Sequence, residues 1–93
     1  MKGKGSSLRN SVGNFYGVNL LCKTRKREIS RPRQIAMYLL RSELHLSFPR
    51  IAKELGRKDH TTAIHSIEKI EKEASLDPAM KNAISTIKEK LYA

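Results

Sequence analysis

Gly56 separates two short stretches whose apolar residues recur at helical spacings. Before it stand Ile51, Ala52 and Leu55. After it stand Ala63, Ile64, Ile67, Ile70 and Ala74. Steps of three and four put each set on one face of a helix, and glycine permits the tight turn that joins two helices. Two helices joined this way form a helix-turn-helix, whose second helix offers its N-terminal residues outward. Those residues are Asp59-His60-Thr61-Thr62, preceded by Arg57 and Lys58.

The rest of the chain supplies partners for that pair. Residues 1–7, rich in Gly, Ser and Lys, read as a flexible lead, with one domain over residues 8–93. Leu8, Val12, Phe15 and Tyr16 fall on one helical face, and Gly17 suits the stop. Lys23 to Arg33 holds six bases in eleven residues, a density that repels itself and favours an extended basic loop. Ser30 then suits an N-cap and Pro32 the first turn of a helix running from Arg31 or Pro32 to about Ser42. Ile35, Ala36, Leu39 and Leu40 face inward there, with Arg33, Met37 and Arg41 on other faces. Ser47 caps a helix over Phe48–Leu55 with Pro49 near its start. Asp77-Pro78 opens a last helix to about Tyr92, whose apolar face is Met80, Ala83, Ile84, Ile87 and Leu91. No segment alternates like a strand. The expected fold is all-α, a small helical bundle containing a helix-turn-helix and a basic loop.

Ninety-three residues suffice for one small core. The apolar runs are far too short to span a bilayer, and the basic N-terminus leads into no signal-peptide core, so the expected location is cytoplasmic and nucleoid-associated. The one cysteine, Cys22, rules out an internal disulfide and a cysteine zinc site, and reads as a small apolar filler. The net charge is +10. Residues 1–58 carry 14 Lys/Arg against 3 acids, whereas residues 59–93 carry 5 against 6. An excess this one-sided is the footprint of a polyanion binder. A membrane surface would require bulky apolar residues opposite the charge, which the basic run lacks.

Asp59, His60, Thr61 and Thr62 have two readings. Asp accepts from a cytosine amino group, Thr bonds a base edge and touches a thymine methyl, and His donates or accepts in the major groove. The same Asp and Thr also cap helices for purely structural reasons. Arg50, Lys53, Arg57 and Lys58 around the helix start favour a phosphate nearby, where free backbone N–H groups add to the attraction. Lys23, Arg25, Lys26, Arg27 and Arg33 are further candidates for phosphates. Arg31, where the basic run meets a helix, is the candidate to enter a minor groove; the plainer reading is a solvated basic face. Catalysis finds no signature. His60 and His65 are five apart, off the spacing that pairs two ligands on one helix face, and no nucleotide-binding or nucleophile motif occurs.

Ile29-Ser30-Arg31-Pro32-Arg33-Gln34-Ile35-Ala36-Met37 and Gly56-Arg57-Lys58-Asp59-His60-Thr61-Thr62-Ala63-Ile64-His65 carry a resemblance. From about Lys23 onward the chain resembles the C-terminal DNA-binding domain of DnaA, the bacterial chromosomal replication initiator. The resemblance implies a Trp-repressor-like helical domain that binds DnaA boxes at the replication origin. It implies major-groove readout by Asp59, His60 and Thr61, with Thr62 at phosphates or base edges beside them. It assigns Arg31 to the minor groove, Arg33 to the backbone, and Phe48 and Pro49 to apolar contact. The interval from Tyr16-Gly17-Val18 to Lys23 is shorter than the family's. No cofactor is expected in this chain; a full-length initiator binds ATP through a domain that this sequence does not contain.

The function expected is therefore sequence-specific binding of double-stranded DNA that initiates or regulates chromosome replication, with other initiator subunits as partners if the chain is part of a longer protein. The alternatives are a stand-alone or transposase-associated module of the same kind, or a basic module that binds an acidic protein.

Overall fold

A computed structural model of the chain describes residues 3–20, 27–56 and 59–92. Every regular element among them is an α-helix: α1 (Gly3–Tyr16), α2 (Arg27–Leu44), α3 (Phe48–Glu54), α4 (His60–Leu76) and α5 (Pro78–Tyr92). α2 is the central helix. It packs most extensively on α4 and α1, while α3 leans on α4, and α5 closes the bundle against α1 and α4.

That central place explains why α2 buries more than a single stripe. Ile35, Ala36, Leu39 and Leu40 are buried as their spacing predicts, and so is Met37 from the face expected to point elsewhere. A helix with neighbours on two sides needs a wider apolar arc than a surface helix. The core continues through Leu8 and Val12 of α1, Ile51 and Ala52 of α3, Leu55, Ala63, Ile67 and Ile70 of α4, and Met80, Ile84 and Ile87 of α5. Ile64 stays half-buried, and Ser66 takes a buried place that its polarity disguised.

Several boundaries follow from local chemistry. Gly17 is left-handed (φ 68°), with its N–H donating to the Asn14 carbonyl and that of Val18 to the Gly13 carbonyl, the paired bonds that close a helix C-terminus. Ser47 caps α3, its hydroxyl accepting from the Arg50 N–H at 3.4 Å, with Pro49 in the first turn. Asp77 accepts from the Ala79 N–H at 3.0 Å as α5 begins.

Two boundaries differ from the sequence expectation. α1 starts at Gly3, inside the stretch read as a flexible lead. The reason is tertiary. The Gly5 backbone lies against the Glu54 carboxyl, and Arg9 donates to the Glu54 carbonyl at 2.7 Å, so the first half of α1 is docked on the end of α3. α2 starts at Arg27 and continues through Pro32, so Ser30 is no cap and Pro32 lies past the first turn. Pro32 is buried, and packing holds this turn despite the N–H it lacks.

Candidate nucleic-acid interface

Gly56 makes the turn between α3 and α4. Its φ of 69° is a left-handed value that a β-carbon disfavours, and its N–H closes α3 on the Lys53 carbonyl at 3.0 Å. After the turn, Asp59 stands in extended backbone (φ −94°, ψ 108°) and its Oδ1 accepts from the Thr61 N–H at 2.9 Å. Asp59 is thus the N-cap of α4, satisfying one of the orphan donors of the first turn.

The cap fixes where the next side chains go. His60, Thr61 and Thr62 occupy the first turn, and all three are exposed, as is Asp59 itself. Ala63 directly behind them is fully buried and seats the turn on the core. The expected pair of roles is therefore combined in one place: a capped helix start, with a row of exposed hydrogen-bonding side chains. The positive end of the helix dipole adds to the attraction for anions there.

Around this head the structure distributes the expected basic residues unequally. Lys53 and Arg50 are exposed on α3, with Arg50 loosely paired to Glu54 at 3.7 Å. Pro49 is exposed at the start of α3 and Phe48 is half-buried beside it. Lys23, Arg25, Lys26, Arg57 and Lys58 lie outside the described residues, and of Arg27 only the backbone is described.

Two arginines expected at the DNA make contacts inside the domain in this structure. Arg33, expected at a phosphate, is only 6% exposed, and its Nε donates to the Leu20 carbonyl at 3.4 Å. It faces inward because α2 packs on both sides, and the buried Leu20 carbonyl after α1 needs a donor. Arg31, expected in a minor groove, lies within α2 and donates from Nη1 to Glu73 Oε1 near the far end of α4 at 3.0 Å. It ties α2 to α4.

Two other residues escaped the sequence reading. Arg41 lies over the Phe48 ring at 4.6 Å and donates to the Leu46 carbonyl at 2.9 Å, which orders the connection leading into Phe48 and Pro49. Glu73, among the charged residues of the later turns of α4, is the partner of Arg31. Helical spacing within one segment carries no signal for either contact, because both partners come from elsewhere in the chain or from a loop.

Among the described residues no group of three or more His, Cys, Asp or Glu could hold a metal ion, and no helix is long and apolar enough to cross a membrane.

Comparison with known proteins gives one consistent answer. Residues 9–70 match the family described as the bacterial dnaA protein helix-turn-helix. The chain is 43% identical to the chromosomal replication initiator protein DnaA of Limosilactobacillus reuteri, in both strain DSM 20016 and strain JCM 1112, over 92% of this chain and 20% of that protein. The solved structure of AMPPCP-bound DnaA from Aquifex aeolicus superposes with a TM-score of 0.77 at 30% identity, over 98% of this chain and 29% of the other. The chain spans about a fifth of the length of the curated relatives it matches.

Proposed function

The chain belongs to the helix-turn-helix family of bacterial DnaA proteins, and from that premise we propose that it binds double-stranded DNA sequence-specifically, at DnaA-box-type sites of a replication origin. The observation that carries this reading is the first turn of α4: Asp59 caps the helix while His60, Thr61 and Thr62 stand exposed beside it. That is the geometry by which a recognition helix presents polar side chains to base edges in a major groove.

In this reading Asp59, His60, Thr61 and Thr62 contact bases and Pro49 adds an apolar contact. Lys23, Arg25, Lys26, Arg27, Arg50, Lys53, Arg57 and Lys58 bind phosphates. We give Arg33, which is buried, and Arg31, which pairs with Glu73, a role inside the domain rather than at the DNA. Phosphate binding supplies affinity without sequence preference and weakens steeply with salt, whereas the base contacts supply the discrimination. The relatives are named as chromosomal replication initiators, so this module's part in replication is to place its protein at the origin.

The test is a titration against a duplex carrying a DnaA box and a scrambled duplex of equal length. Thr61→Ala is expected to weaken box binding by about 1–3 kcal/mol and to leave scrambled binding unchanged. Lys26→Ala weakens both and lowers the salt slope by about one. Equal losses on both duplexes for Thr61→Ala refute the readout, and tight binding to an acidic protein with no duplex preference would replace it with the protein-interaction alternative.

A further inference from the structure

The far end of α4 carries an interaction that neither the core nor the exposed first turn requires. Glu73 Oε1 accepts from Arg31 at 3.0 Å, and Oε2 lies 3.0 Å from the same nitrogen. Oε2 is buried and receives no hydrogen bond among the described residues. Arg31 is therefore a cation that holds this carboxylate, and it does so from α2. Its charge also acts on the Tyr16 phenol at the end of α1.

We propose that Arg31 and Glu73 are positioning residues for base readout: their ion pair pins the far end of α4 to α2 and thereby sets where the Asp59–Thr62 turn points. The proposal rests on the DNA-reading function given above. A helix moves as a rod, and at 1.5 Å per residue Glu73 lies about 20 Å along the axis from His60. Ile67, in the core, falls near the middle, about 10 Å from either end. A tilt about that point shifts the two ends by similar amounts in opposite directions. The front end is joined to α3 through the Gly56 turn and seated by the buried Ala63, while His60, Thr61 and Thr62 project into solvent. Recognition contacts tolerate displacements of only about 0.5 Å. Restraint at Glu73 is thus felt as register at Thr61. The pair is partly buried, and thermal melts and duplex preference separate a contribution to stability from a role in geometry.

The experiment measures box and scrambled duplex affinities of the full chain by fluorescence anisotropy at several salt concentrations, with thermal melts in parallel. Glu73→Gln and Arg31→Gln are each expected to reduce the box preference roughly five- to tenfold, the scale of one mismatched base pair, with scrambled binding and salt slope unchanged. The exchange Arg31→Glu with Glu73→Arg restores the preference. Three results overturn the proposal. In the first, Arg31→Gln weakens both duplexes equally with a smaller salt slope, which makes Arg31 a phosphate ligand. In the second, Arg31→Gln abolishes the preference while Glu73→Gln keeps or improves it, which makes Arg31 a groove reader that Glu73 restrains. In the third, melting temperatures fall while the preference stays intact. Absence of any box preference in the unmodified chain refutes the DNA-reading function itself, and this proposal with it.

Discussion

The two ends of α4 are built on different principles. At the front, one residue organises its own neighbours: Asp59 caps the Thr61 N–H two residues away, and the first turn faces solvent. At the back, Glu73 is fastened by Arg31 of α2, 42 residues earlier in the chain. The front is assembled locally and left open, while the back is assembled from distant parts and half-closed. An exposed reading surface makes few packing contacts of its own, so its precision has to come from the elements behind it.

The largest expected effect breaks this comparison if it fails. Ile70→Ala, in the anchored half of α4, should cost about 2–5 kcal/mol in denaturant unfolding, because the residue is fully buried. His60→Ala at the exposed front should stay within about 0.5 kcal/mol. Comparable losses at the two sites would mean that the front is not the open end described.

A smaller effect separates the two roles of Asp59. Asp59→Ala should cost about 1 kcal/mol of stability through loss of the cap, whereas Asp59→Asn should keep the cap and change only duplex preference. If Asp59→Asn melts like Asp59→Ala, capping does not rest on the oxygen that accepts from Thr61.

The smallest effect sharpens the account of the back end. Burial pushes the Tyr16 phenol above its ordinary 10.0, and the nearby Arg31 charge partly opposes that rise. The folded value lies above the unfolded one, so the stability linked to the neutral phenol is complete below about pH 10 and is lost as pH rises through the folded value. Removing the Arg31 charge should raise the phenol further. Ultraviolet titration of Arg31→Ala, with Tyr16→Phe as the subtraction, reads this directly, and an unchanged Tyr16 titration would show that Arg31 does not act on it.

Much of this was legible in the chain itself. Gly56, Ser47, Asp59 and Asp77 mark helix boundaries by chemistry that acts over a few residues, and the structure places the boundaries there. The apolar spacings in α3 and α4 identified Ile51, Ala52, Ala63, Ile67 and Ile70 as core. The resemblance carried by Asp59–Thr62 and Arg31–Gln34 led to the family that the comparison shows. The errors fall where distant segments decide. The start of α1 depends on Glu54, and Met37 and Arg33 are buried because α2 has two neighbours. Arg31 reads as part of a free basic arm until α4 brings Glu73 to it.

The Gly56 turn and the capped helix start at Asp59–Thr62 are therefore determined by sequence alone, since their hydrogen bonds span two or three residues. The direction in which that helix start points is not. It depends on where the other end of α4 is held, and only the tertiary structure could decide that, because an ion pair between α2 and α4 exists only once the bundle has brought the two helices together.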